Sequence, residues 1–527
     1  MTIGRIPIAL ALVCLMVLTR AAAPSARAEA ETTDIAAVEI IRYEGLSRSQ
    51  LMQSAFYLSD VYGPRLTGSP QLRQAAEWAV DRLKRWGIED SRIQEWGTLG
   101  PGWVNERFAA HAYTPHPWPV VGLPKAWTPG TDGPLVADAI YAPMSNDEAL
   151  PRWKGQLRGR IVLPVPSRQL GAMFDAPARR FSTSELEELQ RGARPRARPE
   201  PSGAQVAFAR RRLRFLIDEG ALAVVEPSAG DGAIFVQHSA EFDPDRAPDS
   251  AIPPTRAAAP PQVVITAEHY GRMARLLSAG RQVRLELDVR NKFLPDQPGF
   301  NVIAEIPGTD KADEIVMIGA HLDSWHGATG ATDNAVGAAV MLEVMRILKV
   351  SELPLRRTVR LALWSGEEQG LLGSRAYVAT HVAQRETMTL KDEHRRISAY
   401  FNLDNGTGAI RGVYLQGNDQ LAPVFAAWMQ PFADLGVSTL SATSTFSTDH
   451  LSFDEVGVPA FQFIQDPIEY DTRTHHSNTD TFERIQTEDA MRNAVIVASF
   501  VYHAANRDER LPRKPIPSPR IRSASGP

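Results

Sequence analysis

The apolar positions of this chain change their period twice. Over residues 71–86 they fall at Ala75, Trp78, Ala79 and Leu83, three or four residues apart, which predicts a helix with one buried face. A further helical stretch begins near Ser47. The two are separated by Gly63-Pro64-Arg65-Leu66-Thr67-Gly68-Ser69-Pro70, a turn dense in residues that break regular structure. Between about 115 and 295 the texture differs. Short apolar runs such as 160–165 and 221–225 alternate with proline-rich loops, and 194–201 reads as a basic exposed loop or disordered insert. From Asn301 onward, compact apolar runs alternate with helical patterns. Strands are predicted at 314–320, 358–364, 399–403, 413–416 and 459–464, and helices at 335–348, 372–381 and 487–505. This rhythm predicts an α/β sheet with helices on both faces, built from residues 29–114 and 297–506. Residues 115–296 are read as a smaller β-rich domain inserted into it. After Ala505 periodicity ends, and 507–527 read as a disordered tail rich in Arg and Pro.

Length and composition sharpen this only in places. At 527 residues the chain exceeds one ordinary domain, which agrees with an inserted second unit. A formal net charge of -4 makes no electrostatic case for nucleic acid as a partner. Arg5, an apolar run over 6–18, and the small residues ending in Ala26-Arg27-Ala28 have the layout of a secretory signal peptide covering residues 1–28. Its removal deletes three arginines and no acids, moving the net charge to -7. The destination would be periplasmic or extracellular, with no stable membrane insertion after cleavage, because no other segment is long and apolar enough to span. The one cysteine, Cys14, lies inside that run. A processed chain therefore has neither disulfides nor thiolate chemistry, and any metal must be held by His, Asp and Glu.

Four polar clusters stand at the ends of predicted strands or in the loops beside them. They are His321-Leu322-Asp323, Asp333-Asn334, Gly366-Glu367-Glu368, and Asp404. A fifth, with His475-His476, follows the last predicted strand. In open α/β sheets ligands bind at the carboxyl ends of strands. Singly, each cluster has a plain structural account. An aspartate before a helix is commonly an N-cap, and acids at a helix start answer its dipole. Gathered in one crevice, however, the carboxylates would repel one another unless a cation held them. Imidazole and carboxylate donors without thiolate suit zinc, and manganese or cobalt as well.

With these residues in place, the chain resembles the zinc exopeptidase family that includes bacterial secreted aminopeptidases, glutamate carboxypeptidase II and carboxypeptidase Q. The resemblance covers about 63–87 and 301–505. It is nearest the carboxypeptidase Q members, through His321-Leu322-Asp323-Ser324-Trp325 and His475-His476-Ser477, and the insert resembles a protease-associated domain. It implies an α/β/α sandwich around a mixed sheet, two zinc ions per chain and hydrolysis of short peptides. Asp333 would bridge the metals, with His321 and Asp404 completing one site and Glu368 and His476 the other. Glu367 would be the general base and Asp323 would orient His321. The bond between Asp333 and Asn334 is a candidate cis peptide.

The chemistry agrees with these roles. Two zinc ions would polarise the scissile carbonyl and lower the pKa of a shared water. Glu367 must then stay off the metals to take a proton and pass it to the leaving amine. Many relatives have a tyrosine before the last histidine ligand. Here the position is His475, which is proposed as the hydrogen-bond donor to the tetrahedral intermediate. A silent receptor on the same scaffold is disfavoured by the full ligand set. Glutaminyl cyclisation is disfavoured by that set and by the insert. Arg473 is a candidate for a substrate carboxylate, though an arginine in such a loop is more often solvated. The sequence leaves the recognised peptide end unresolved, and allows a homodimer.

Overall fold

The apolar runs that lack alternation become strands buried on both faces. In a computed structural model, residues 31–194, 202–235, 240 and 259–520 are described. The signal-peptide reading and most of the 194–201 loop lie outside them. Along Lys311–His321, Val316, Ile318 and Ala320 join one apolar cluster while Ile315 and Met317 join another on the opposite face. Arg357–Trp364 does the same, with Val359, Leu361 and Leu363 on one side and Ala362 and Trp364 on the other. Strands sandwiched in this way read as continuous apolar runs, because neither face meets water.

These strands sit in a mixed sheet of 14 strands among the described residues. Its centre is parallel: Lys311–His321 lies between Arg357–Trp364 and Ile397–Asn402, and Ala460–Gln465 follows beyond the latter. Ile410–Tyr414 is antiparallel to Ala460–Gln465, and Thr439–Ser441 forms the edge. The larger face is covered by Ile35–Ser47, Pro70–Arg85, Val336–Val350 and Thr487–Asn506. Val336–Val350 is apolar around almost its whole circumference, as befits a helix with the sheet on one side and other helices on the other. Pro70–Arg85 starts with Ser69 accepting from the Leu72 amide and Pro70 in the first turn, then buries Ala75, Ala79 and Leu83.

Two long strands are not predicted from the sequence. Ser91–Ala112 and Arg284–Ile306 pair antiparallel from Ser91↔Ala304 to Ala112↔Leu285, with register shifts near Gly97, Gly100 and Trp103. One end of Arg284–Ile306 pairs with Arg357–Trp364 and the other with Leu135–Tyr141. Beyond it run Ile161–Leu163, Ala223–Pro227, Gln262–Ile265 and Gly122–Pro124. This middle region has its own apolar core around Ile161, Val225, Val263 and Leu285, and also carries the helices Thr183–Gln190, Gly203–Asp218 and Ala267–Ser278.

The segment after the last helix corrects the reading of a disordered tail. Residues 507–520 are irregular but packed: Leu511 is buried, Lys514 pairs with Asp454 at 2.5 Å, and Arg357 donates to the carbonyls of Ala504, Arg507 and Asp508. Arg and Pro gave the tail the composition of a disordered segment, yet its cations meet carbonyls and acids at fixed positions. The predicted helix over 372–381 is likewise shorter, Leu372–Tyr377, and continues as a wider turn over Val378–Val382.

Candidate metal centre

The carboxyl ends of the three central parallel strands open on one side of the sheet. His321 ends its strand, Glu367 and Glu368 follow Trp364, and Asp404 follows Asn402. Asp333 arrives from the turn before Val336–Val350. That turn needs two glycines. Gly330 has φ +64, and a Cβ there would lie 2.3 Å from the Ser324 Cβ; one at Gly337 would lie 2.1 Å from Asn334 Oδ1. The close approach lets Asn334 donate to the Leu403 carbonyl at 2.9 Å, tying the turn to the strand that delivers Asp404. The Asp333-Asn334 peptide is cis, as the family resemblance implied.

Asp333 is the shared member of two groups. Its Oδ1 lies 3.2 Å from His321 Nε2, which is 3.3 Å from Asp404 Oδ1. Its Oδ2 lies 3.3 Å from His476 Nε2, which is 2.8 Å from Glu368 Oε2. His475 Nε2 stands 3.8 Å from the same Oδ2, and its ring stacks on that of His476 with centroids 3.8 Å apart. Asp333, His475 and His476 form one geometrically competent trio for a metal ion, and His321, Asp333 and Asp404 the other. The five candidate metal ligands from the sequence therefore lie in one cluster with His475. The opening beside it, about 180 Å³, is lined by Trp325, Asp333, Glu368, His476, Ser477 and Asp480.

The surroundings hold the cluster in place. His321 Nδ1 is 3.0 Å from the backbone carbonyl of Asp323 and 3.7 Å from its carboxylate, so the carbonyl fixes the ring and leaves Nε2 facing Asp333. The Asp323 carboxylate instead accepts the amides of Glu367 and Glu368, both at 3.3 Å, and the Thr67 hydroxyl at 2.9 Å. Asp480 accepts from the Thr332 amide at 2.6 Å and from the Asp333 amide at 3.1 Å, capping the turn that presents Asp333.

The electrostatics describe a site with too much negative charge. Burial pushes Glu368 up to about 7, with Asp333 adding to the rise and His476 opposing it. Glu367 lies well above the usual carboxylate range. Burial is the main cause; Asp404, Asp449 and Glu368 add to it, while His321 opposes it. Burial also raises Asp480 and Asp449 to about 7. Burial would raise Asp333 too, yet the imidazoles of His321, His476 and His475 hold it below the carboxylate range. The residues fit a pair of divalent cations. Oxygen and imidazole donors converge, Glu368 Oε1 is buried without a hydrogen-bond partner, and the surplus charge asks for a positive counterpart.

Sequence reasoning missed several neighbours. The Tyr470 ring lies tilted against His475 with centroids 4.7 Å apart, and burial together with the nearby carboxylates pushes its phenol well above the usual range. Trp325 sits edge-on to His476 at 6.0 Å and to Trp127 of the middle region at 6.4 Å. Asp449, wholly buried, precedes the short helix His450–Asp454. The middle region also reaches the histidine loop. Asn478 exchanges hydrogen bonds with Ile234 at 2.7 and 2.9 Å, and Arg179 pairs with Ile468. Arg473 pairs with Glu469 at 3.1 Å and keeps 41% of its side chain exposed.

Comparison with known proteins finds related sequences and folds. Residues 301–501 match the family described as Peptidase family M28. Carboxypeptidase Q of Mus musculus is 26% identical over 460 residues, covering 86% of each chain. Aminopeptidase YwaD of Bacillus subtilis is 31% identical over 232 residues, 43% of this chain and 49% of its own. Among solved structures, a peptidase M28 precursor from Shewanella amazonensis superposes with a TM-score of 0.66 at 25% identity. That match spans 91% of this chain and 98% of the other. A zinc aminopeptidase from Bacillus subtilis shares the fold at a TM-score of 0.55 and 21% identity, over 88% and 96% of the two chains.

Proposed function

We propose that this chain, whose residues 301–501 match peptidase family M28, hydrolyses short peptides as an exopeptidase with two zinc ions held around Asp333. The observation that carries the reading is the division of Asp333 between two ligand sets, Oδ1 toward His321 and Asp404 and Oδ2 toward His476 and Glu368. Zinc is favoured by the imidazole and carboxylate donors and by the zinc aminopeptidase that shares this fold.

Bound there, the ions supply Lewis acidity toward the scissile carbonyl and lower the pKa of water. The protein's own part is proton transfer and positioning. Glu367 is raised in proton affinity and has its backbone anchored by Asp323. It accepts a proton from the attacking water and returns it to the leaving amine. His475, stacked on His476 and flanked by the tilted ring of Tyr470, donates a hydrogen bond where negative charge develops on the former carbonyl oxygen. Trp325, backed by Trp127, forms an apolar wall that excludes water and receives a side chain. The reading of residues 115–296 as an insert is supported by that region's separate apolar core. Export through residues 1–28 rests on their sequence. Among the described residues no helix is long and apolar enough to cross a membrane.

The test is hydrolysis of one dipeptide in free, N-acetylated and C-amidated forms by zinc-loaded protein. Cleavage of the free and amidated forms alone identifies an aminopeptidase. Cleavage of the free and acetylated forms identifies a carboxypeptidase, and of the free form alone a dipeptidase. Failure on all three would overturn the proposal.

A further inference from the structure

The turn over residues 63–70, far in sequence from every metal ligand, runs beneath the centre. Arg65 is fully buried and spends its guanidinium on backbone carbonyls. It donates to Leu322 at 2.6 Å, to Thr329 and Gly330 at 2.9 Å each, and to Leu58, while its own amide donates to Ser324 Oγ at 3.1 Å. Leu322 adjoins His321, and Thr329-Gly330 lead directly into the turn that presents Asp333. One side chain therefore holds the backbone of two ligand segments against each other. Thr67, two residues on, donates its hydroxyl to Asp323 Oδ2 at 2.9 Å, the oxygen that also accepts the Glu368 amide. The other oxygen accepts the Glu367 amide at 3.3 Å.

We propose that Arg65 and Thr67 are positioning residues of the metal centre. Arg65 fixes the spacing between the His321 and Asp333 segments, and Thr67 fixes, through Asp323, the strand end that carries Glu367 and Glu368. This rests on the dizinc reading above.

The physical argument turns on what Asp323 does when Thr67 is absent. A buried carboxylate that loses a side-chain donor rotates to recover a partner or captures water. Either motion moves the two amides bonded to it. The glutamates on those amides are a metal ligand and the proposed base, so both metal affinity and turnover register the change. Groups that orient ligands in this way typically change metal affinity by 10- to 100-fold when removed. Sequence neighbours reinforce the arrangement. A Cβ at Gly63 would lie 2.2 Å from the Ser59 carbonyl and 2.5 Å from that of Thr329, so the turn presses directly on the Asp333 segment.

The experiment compares Thr67→Val and Thr67→Ser in the full chain. Zinc affinity is measured by competition with a chromophoric chelator, and kcat and KM are measured at saturating zinc. Thr67→Val should weaken zinc binding by about tenfold or more and lower kcat with KM little changed. Thr67→Ser, which keeps the hydroxyl, should restore both. Arg65→Lys, which keeps charge but not the fork, should weaken zinc binding while the metal-free protein still unfolds cooperatively. Wild-type zinc affinity and kcat in Thr67→Val would overturn the proposal. So would loss of affinity in Thr67→Val that Thr67→Ser does not recover. If the unmodified protein itself binds no zinc in the same titration, the dizinc reading has failed instead.

Discussion

Replacing Glu367 by glutamine removes one proton acceptor and little else. The amide has nearly the volume of the carboxylate, and the backbone amide of residue 367 keeps its 3.3 Å bond to Asp323. The Glu367 side chain belongs to neither group of converging ligand atoms around Asp333, so the metal set should stay intact. A positioned general base is worth about 10²- to 10⁴-fold in rate. Here burial and the charges of Asp404, Asp449 and Glu368 raise the proton affinity of Glu367. The loss should fall within that range, about 10²- to 10⁴-fold in kcat, or roughly 2.7–5.4 kcal/mol of transition-state stabilisation at 1.36 kcal/mol per decade. The assay is turnover of a free dipeptide by zinc-loaded protein, with zinc per chain measured on the same sample. KM and zinc content should hold while kcat collapses. A kcat within tenfold of the parent at equal zinc content would refute the assignment. A lost zinc ion would instead make Glu367 a ligand.

Three further outcomes follow from other residues. His476→Ala should reduce zinc per chain in elemental analysis, whereas His475→Ala should keep zinc and lower kcat; the reverse pattern would exchange the two roles. Arg346 is buried against Glu343 at 2.8 Å, and Arg346→Met would leave that carboxylate uncompensated, costing about 3–5 kcal/mol in denaturant unfolding, part of which Glu343→Leu should recover. Burial depresses His450 to about 3 in the folded chain, below its ordinary 6.5, so the unfolded chain binds the proton first and stability is lost as pH falls below 6.5. At pH 5 the loss is about 2 kcal/mol. Asp449, raised to about 7 by burial, contributes the opposite slope. The measurement is therefore the difference in melting temperature between His450→Asn and parent from pH 7.5 to 5, which should shift in favour of the variant.

What could be read from the chain followed from locality. The five predicted strands of the peptidase half fall within a few residues of their observed bounds, because each is an apolar run closed by polar residues. The candidate ligands His321, Glu368, Asp404 and Asp333 were legible for the same reason, since the first three closely follow their strands and the last precedes a helix. The long strands Ser91–Ala112 and Arg284–Ile306 were not. Gly97, Gly100, Pro101 and Gly102 in one, and Pro295, Pro298 and Gly299 in the other, have the texture of a loop. Their pairing absorbs these residues in bulges and in a close approach, where a Cβ at Gly299 would strike the Trp96 ring. Arg65 and Thr67 stood out only as part of a turn, because their partners lie more than 250 residues away. Asp449 gave no local sign of purpose, because it lies outside every predicted element and is buried only by the tertiary fold.

The central strands also bear on how much change the active centre can absorb. Trp364 stands opposite His321, and Asn402 opposite Gly319, so three neighbouring strands stop at nearly the same level. Across the sheet, their separation is fixed by peptide hydrogen bonds at about 4.8 Å. Perpendicular to it, the helices rest on side chains whose volumes can vary. The scaffold is thus stiff along the line on which its ligands are spaced and compliant along the line on which its layers are stacked. Substitutions that swell or shrink the helix layers displace them outward or inward, leaving the separation of His321, Glu368 and Asp404 to the backbone alone.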